Sequence, residues 1–404
     1  MRLALALWAC VLAVPLAAQE SFEAEFRRGL LALNGNDLAQ ARQSLEDASR
    51  LKPDNALVWA ALAQTYLRSR EIKQANEAAR RAAVLAPSDP AAERALALFY
   101  SETGDFAEAA AWERRFASSP AADPQAPTRA AELSLQAGDA AQAIAWAKRA
   151  LDRGASAGAH HLLGQAYAAA NRPEEATREF RSAAEGDPSV EAFVFDLGQM
   201  QLRRGDFSGA FATFDQARQR FLASAQIQLA YGVAAYGERR FGDAIDAFLR
   251  VIRIDPSVEQ PYVFLGRMLD QAEDRLPQVV AAYAAWAKAE PGNYLAACLH
   301  AKALSAASGD PAPIEAELRR SIGLNDGYWE SHFELGVLMV RQQQWQTAAA
   351  ELARSIELNP KNAPAHFQLA RAYDKLGQPE RAQAERAEHE RLTAAETGAG
   401  QRVP

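Results

Sequence analysis

Three histidines occupy equivalent places in the chain and are the first candidates for chemistry. His160, His332 and His366 stand at the same position of a repeating pattern described below. Imidazole is a common metal ligand that binds at about 2 Å. Packed neighbouring helices lie about 8–10 Å apart, which makes one ion shared by His332 and His366 unfavourable. We therefore interpret these histidines as packing residues and predict no metal site.

Other reactive residues lack the neighbours that catalysis needs. His160 and His161 are adjacent and point to different faces of a predicted helix, and His389 has no second histidine at helical spacing. Ser208, in a Gly-Asp-Phe-Ser-Gly segment, stands one position late for a nucleophile elbow. Cys298 falls at a predicted core position, and no glycine-rich phosphate loop is present. We predict that the protein is not an enzyme and holds no cofactor.

The composition is that of a folded, mildly acidic protein. The 404 residues are 49% hydrophobic and 24% charged, with a formal net charge of −7. This hydrophobic fraction supports a buried core and is too high for a disordered chain. Both charge signs are spread along the chain, so the composition indicates no phosphate-binding surface and no nucleic-acid partner.

The first residues have the composition of a secretory signal peptide. Arg2 precedes the apolar segment 3–14, and small residues lead to a cleavage point predicted after Ala18. The apolar run is shorter than the roughly 20 residues that span a bilayer. We therefore predict a signal peptide at residues 1–18, no integral membrane span, and a periplasmic or secreted protein. A lipoprotein anchored through Cys10 is less favoured, because Trp8 fits such a cleavage box poorly.

The rest of the chain is an internal repeat. Pro53 and Pro87 are 34 residues apart, and around each of them an apolar helix, a short polar break and a second helix recur. One deletion and one two-residue insertion extend this frame over residues 22–396. The eleven units begin near Phe22, Ala56, Pro90, Pro124, Ala157, Glu191, Ala225, Glu259, Leu295, Trp329 and Ala363.

The units resemble the tetratricopeptide-repeat (TPR) family, with exported bacterial members as the nearest type. The family's first helix is matched by Trp59, Leu62-Ala63 and Tyr66, and its turn by Gly104-Asp105-Phe106. Phe180 and Ala183 match its second helix, which closes on a proline such as Pro188. The resemblance covers essentially the whole mature chain. It implies an all-α TPR solenoid, a right-handed superhelix of about eleven helix-turn-helix repeats.

The repeat frame and its interruptions set the predicted boundaries. Units 1–3 occupy residues 20–119, a proline-rich junction occupies 120–127, units 4–11 occupy 128–396, and a flexible tail follows at 397–404. We expect the first helix of unit 4 to begin after Pro127, and the junction to act as a hinge. We also expect the first-helix glycines to face small side chains of second helices. The glycines are Gly164, Gly198, Gly266 and Gly336, and the small residues are Ala176, Ala210 and Ala348.

The resemblance also implies where partners bind. First helices of TPR proteins line a groove that holds peptide or helical segments of other proteins. The groove-facing positions here are cationic, amide or aromatic, which suits acidic or extended segments with apolar anchors. The Lys/Asn clamp of chaperone-binding members is absent. The predicted groove residues are Gln64, Arg68, Gln165, Phe195, Gln199, Arg203, Tyr236, Arg267, Phe333, Arg341, Phe367, Arg371 and Lys375.

These observations predict a protein-interaction scaffold or adaptor outside the cytoplasm. Its resemblance to exported TPR proteins implies a role in outer-membrane assembly, polysaccharide export or pilus biogenesis. Two alternatives remain open at this point, an accessory or regulatory subunit of an envelope enzyme and a purely structural spacer. The oligomeric state is left open.

Overall fold

A computed structural model describes residues 21–154, 156–307 and 309–400. Its regular structure consists of α-helices and two short 3-10 turns, and no strand occurs within these ranges. The all-α prediction is confirmed. The predicted signal peptide at 1–18 and residues 401–404 of the predicted tail lie outside the described residues. Among the described helices, none combines the length and the apolar character of a membrane-spanning segment.

The chain divides into two compact units, the first ending at Met200. Its helix α1 covers residues 21–34 in the described part of the chain. The helices that follow are α2 (Leu38–Leu51), α3 (Ala56–Arg68), α4 (Ile72–Leu85), α5 (Pro90–Thr103), α6 (Phe106–Ser118), α7 (Ala126–Gln136), α8 (Ala140–Arg153), α9 (Ala157–Ala169), α10 (Pro173–Gly186) and α11 (Glu191–Arg203), whose last three residues belong to the second unit.

The second unit begins at Gln201 and repeats the same alternation of helices. Its 3-10 turns, Leu269–Gln271 and Glu273–Arg275, follow a first helix of only eight residues. Its helices are α12 (Phe207–Arg220), α13 (Ala225–Gly237), α14 (Phe241–Ile254), α15 (Gln260–Arg267), α16 (Leu276–Ala289), α17 (Tyr294–Ala306), α18 (Pro311–Leu324), α19 (Trp329–Arg341), α20 (Trp345–Leu358), α21 (Ala363–Lys375) and α22 (Pro379–Gly400).

In ten of the hairpins that the structure describes, the turn contains one residue in the left-handed conformation. Glycine occupies four of these ten positions, among them Gly104 with φ 81°. The following Asp105 caps the next helix by accepting from the Glu108 N–H. The position recurs at the interval of the repeat, including its deletion and its insertion. Its occupants are Asn36, Arg70, Gly104, Gly138, Asn171, Gly205, Arg239, Glu273, Gln343 and Gly377.

Consecutive helices pack as hairpins, and each hairpin buries its apolar face against the next hairpin in the same unit. In the first unit, Leu62 of α3 and Leu96 of α5 share one continuous cluster of buried side chains. In the second, Phe248 and Tyr283 are completely buried. Burial of such a side chain is worth about 1.5–3 kcal/mol. The TPR solenoid prediction is confirmed at the level of stacked hairpins, and the handedness of the superhelix stays a prediction.

Gly164, Gly266 and Gly336 lie closest to large side chains, so the expected contact with alanine is wrong at these three positions. A β-carbon at Gly164 would stand 2.6 Å from the Phe180 ring, and one at Gly336 would stand 2.6 Å from Leu352 Cγ. In both pairs the second residue follows the first by sixteen positions. The missing β-carbon therefore makes room for a bulky second-helix residue. Gly266 likewise lies against Leu299 and Tyr283.

The proline-rich junction is firmly attached within the first unit. Helix α7 begins at Ala126, and Pro127 lies in its first turn, where a missing N–H costs nothing. The late start expected after Pro127 is therefore wrong. Asp123 forms ion pairs with Arg94 (2.9 Å) and Arg129 (2.8 Å), and its carbonyl accepts from Arg153. These contacts argue against a hinge. At the other end of the chain, α22 continues to Gly400, so the backbone of 397–400 is helical where a flexible tail was expected.

Candidate functional site

The side chain at the repeat position of His160, His332 and His366 has a structural role in several units. Trp59 Nε1 donates to the carbonyl of Pro53, six residues earlier, at 2.9 Å. His332 Nε2 lies 3.1 Å from the carbonyl of Asp326, also six residues earlier. Each side chain therefore ties its first helix to the preceding loop. The same bond joins Tyr262 to Pro256 and His366 to Pro360.

The other ring nitrogen of these histidines contacts the second helix of the same hairpin. His332 Nδ1 lies 2.7 Å from Glu351, and the His332 residue is only 3% exposed. The interpretation as packing residues is thus confirmed for His332 and His366, whose rings each make two contacts. Groups of three or more potential metal-ligating residues are not found in the described ranges. Equivalent Nδ1 contacts join His366 to Glu385 and His160 to Glu179.

Cys298 is a core residue, as its position in the repeat predicts. It is completely buried in α17, and burial raises the pKa of its thiol to about 12. The reactive form of cysteine is the thiolate. Cys298 therefore packs as a small apolar side chain near neutral pH.

The predicted groove residues differ widely in exposure. Gln64 is only 6% exposed and its amide has no hydrogen-bond partner among the described residues, so its expected exposure is wrong. Phe367 is 46% exposed. The half-buried members are Gln165, Phe195, Gln199, Tyr236 and Phe333. The exposed cations are Arg68, Arg203, Arg267, Arg341, Arg371 and Lys375.

The structure brings three of these residues into one pocket between α19 and α21. Arg341, Arg371 and Lys375 line a space of about 430 Å³ together with Gln368 and Trp345. We call this the cationic pocket. Arg341 donates to Ser305 Oγ (3.0 Å) and Arg371 to Gln368 Oε1 (3.0 Å). Within the described part of the chain, none of the three cations forms an ion pair.

The repeat itself explains this convergence. Arg341 is the last residue of α19 and Lys375 is the last residue of α21, one hairpin later. Stacked hairpins place equivalent residues side by side, so cations at helix ends become neighbours. The partial negative charge of a helix C-terminus also favours a cation there.

The predicted aromatic anchors are not part of the cationic pocket. The Tyr236 ring packs on Phe264 at 5.6 Å between centroids, and Arg267 lies 5.9 Å from the centroid of the same Phe264 ring. Phe367 faces His389 of α22 at 5.4 Å. Phe333 packs near Trp329 at 6.5 Å. The groove list therefore contains one cluster of three cations, and Tyr236, Phe333 and Phe367 pack elsewhere.

The sequence analysis missed an acidic patch between α17 and α19. Lys302 forms an ion pair with Glu330 and lies 3.9 Å from Glu334. Tyr328 donates to Glu330 at 2.6 Å. Burial raises the pKa of Glu330, but Lys302 and Tyr328 lower it more, and the net result is a lowered pKa. The cationic character expected along the whole first-helix surface is therefore local. Lys302 and Glu330 lie on first helices of consecutive hairpins, which could have indicated the pair.

A second pocket of the first-helix surface, in the first unit, was also missed. It has a volume of about 490 Å³, and its apolar lining includes Leu98 of α5 and Leu133 of α7. Leu98 is 52% exposed. Arg129 lies at its polar side and pairs with the buried Glu113 at 2.8 Å. The sequence feature that could have indicated this pocket is Leu98, an apolar residue at an outward position of a first helix.

These features define a repeat protein built from stacked helical hairpins. The sequence profile of the family described as "Tetratricopeptide repeat" matches residues 26–71, 60–127, 161–221 and 195–259. A second profile with the same description matches residues 352–384. The chain belongs to the tetratricopeptide-repeat family. Members of this family serve as scaffolds for protein–protein interaction, which is the class of this chain.

Comparison with other proteins adds distant structural similarity. The structure of Naa15/Naa10 bound to HypK-THB matches with 14% identity and a TM-score of 0.46, over 90% of this chain and 67% of that chain. Yeast Tom70 matches with 15% identity and a TM-score of 0.39, over 93% and 92%. The C-terminal part of a TPR protein from Cytophaga hutchinsonii matches with 14% identity and a TM-score of 0.45, over 68% and 98%. No curated protein matches the sequence.

Proposed function

We propose that this protein is an exported scaffold that binds acidic segments of partner proteins at the cationic pocket. The observation that carries the proposal is the convergence of Arg341, Arg371 and Lys375 in one open space of about 430 Å³. Three like charges in one pocket repel one another, and an anionic ligand relieves that repulsion. Carboxylates of a partner would form charge-assisted hydrogen bonds with the two guanidinium groups and the ammonium.

The lining of the pocket also suits a segment with an apolar residue beside its acidic ones. Val337, Val340 and Trp345 contribute apolar surface next to the cations. Aromatic and arginine side chains commonly supply most of the binding energy at protein interfaces. An acidic segment with one apolar anchor therefore fits this lining better than a purely charged one.

The competing interpretation is that the cations are solvated helix ends. A helix C-terminus stabilises a nearby cation by about 0.3–1 kcal/mol without any ligand. Under that interpretation, removal of the cations lowers stability slightly and changes no binding. The two interpretations thus differ in what a binding experiment would measure.

The test uses fluorescence anisotropy with a labelled peptide rich in Asp and Glu that carries one Leu, and with a charge-reversed Lys peptide. We expect the acidic peptide alone to bind, and Arg371→Ala/Lys375→Ala to weaken it at least tenfold. The control Arg220→Ala/Lys361→Ala removes the same charge from exposed positions outside the pocket. Equal weakening by both double variants, or no binding by the wild type, would refute the proposal.

Export is proposed from the first eighteen residues. A positive start, an apolar stretch and small residues before Gln19 support it. Outer-membrane assembly, polysaccharide export and pilus biogenesis all take place in the envelope, where such a scaffold would meet its partners. Expression in a bacterial host, fractionation and N-terminal sequencing test the proposal. We expect a mature chain beginning at Gln19 outside the cytoplasm, and an uncleaved cytoplasmic chain would refute export. A lipid-modified Cys10 at the N-terminus would instead identify a lipoprotein.

A further inference from the structure

A third pocket, in the first unit, is lined mainly by second helices. It has a volume of about 720 Å³ and lies among α6, α8 and the loop between α4 and α5. Arg114 and Arg115 of α6 and Arg149 of α8 line it, together with Trp146 and Glu93. We call this the arginine pocket. It shares no lining residue with the pocket at Leu98.

Two of its arginines are held by a local motif that occurs in consecutive hairpins. Arg115 lies 5.0 Å from the ring centroid of Trp112, three residues earlier, and Arg149 lies 4.3 Å from that of Trp146, also three residues earlier. The two Trp-x-x-Arg motifs are one repeat interval of 34 residues apart. Both tryptophans are buried, so they form fixed supports. A guanidinium packed on an indole face keeps its N–H donors at its edge, where they can reach a ligand.

The arginine pocket contains more positive than negative charge, with three arginines and one glutamate in its lining. Glu93 is the one carboxylate among the lining residues. It is 7% exposed; burial raises its pKa, while Arg115 lowers it, and the net pKa is raised. Arg114 donates to Ser134 Oγ at 3.2 Å. None of the three arginines has an ion-pair partner within 4 Å in the part of the chain that the structure describes. At least two positive charges are therefore available for a ligand.

We propose that the arginine pocket binds a phosphate ester, either a soluble one or a phospholipid headgroup. A phosphate group is dianionic or nearly so and presents three acceptor oxygens, so it can bridge two guanidinium groups, which a single carboxylate does less well. Pro87, Ala111 and Ala145 supply apolar lining for the organic part of the ester. The net charge of −7 does not prevent this, because charges farther away than about 8–10 Å are screened at physiological salt.

The first experiment measures binding of pyrophosphate and inositol hexakisphosphate to the full mature chain by titration calorimetry. We expect both probes to bind, with affinity that falls as NaCl rises from about 50 to about 200 mM. Arg115→Ala/Arg149→Ala should weaken binding at least tenfold. Arg178→Ala/Arg181→Ala is the matched control, because it removes two exposed arginines of the second helix α10 that lie outside the pocket. Equal affinities of the two double variants would overturn the proposal.

Two further measurements separate a loss of binding from a loss of folding and distinguish the two sources of the phosphate ester. Arg115→Lys/Arg149→Lys retains the charge and loses the planar fork, so it should fold as the wild type and bind more weakly. Vesicles of phosphatidylcholine with and without phosphatidic acid distinguish a headgroup from a soluble ester. Binding to the acidic vesicles or to the soluble probes supports the proposal and identifies the source. Binding to neither of them, or tighter binding of an acidic peptide than of phosphate, would overturn it.

Discussion

The Phe180 ring of α10 lies against the backbone of Gly164 in α9, with its Cδ1 atom 2.6 Å from where a β-carbon would stand. Gly164→Ala should therefore overpack this hairpin and destabilise the first unit by about 1–3 kcal/mol. Urea unfolding followed by circular dichroism measures the change. Gly158→Ala is the control on the same helix, because a β-carbon there meets no atom within 4 Å. Gly164→Ala/Phe180→Leu should regain part of the loss, and equal effects of the two alanine variants would contradict this packing.

The carboxylate of Asp123, whose pKa is lowered, should stabilise the junction before α7. The Arg129 guanidinium lowers the pKa of Asp123 from 3.8 to about 2. Because the folded-state pKa is the lower one, Asp123 stabilises the fold above about pH 4, and this contribution is lost between about pH 4 and pH 2. Asp123→Asn should therefore cost about 1 kcal/mol at neutral pH and progressively less as the pH falls toward 2. Urea unfolding at several pH values measures this difference, and an equal loss with the exposed Asp54→Asn would argue against it.

The stability of the second unit should depend on the ion pairing of Lys302 in the acidic patch. Lys302→Met leaves Glu330 and Glu334 without their cation, and breaking such a pair costs about 3–5 kcal/mol when it is buried. The loss should be smaller here, since the three side chains are about one-fifth exposed. The pKa of Glu330 is lowered in the folded protein, so its contribution is present above pH 4.5 and declines below it.

The control for this prediction is a second substitution at the same site. Lys302→Met/Glu330→Gln should recover much of the stability that Lys302→Met loses, because the unpaired carboxylate is gone. Unfolding midpoints of the three proteins at neutral pH provide the measurement. A double variant less stable than Lys302→Met would show that the charges are not coupled.

Cys298 should be unreactive until the second unit unfolds. Burial raises the pKa of its thiol to about 12, so the thiolate fraction near neutral pH is very small and the sulfur is also inaccessible. Ellman's reagent should therefore label the mature native protein slowly and the urea-unfolded protein at once, with one equivalent per chain. Rapid labelling of the folded protein would contradict the core assignment.

The hairpin architecture could be predicted from the sequence because its signals are local. Proline ends a second helix, a glycine such as Gly104 permits a left-handed turn, and the following aspartate caps the next helix. These signals recur every 34 residues, and the left-handed turn residues follow the same interval. The contact partner of Gly164 was predicted wrongly. It depends on how α10 rotates against α9, which residue types alone do not reveal.

The candidate site was predictable only in part. Arg341, Arg371 and Lys375 were recognised from their positions in the repeat, and the structure adds that they share one pocket. Gln64 occupies the repeat position of Arg371 and is nevertheless buried, because neighbouring side chains cover it. Exposure depends on the packing of adjacent hairpins, and this packing varies from one pair to the next.

The order of the helices, their ends and the family of the protein follow from residue types at a constant interval, since each of these features depends on a few neighbouring residues. The arginine pocket, in contrast, could be recognised only in the folded structure. Arg115 and Arg149 are 34 residues apart, and each of their motifs resembles an ordinary solvated helix face. Stacking of consecutive hairpins places both guanidinium groups on one cavity, and the distance between helices is a property of packing and not of local sequence.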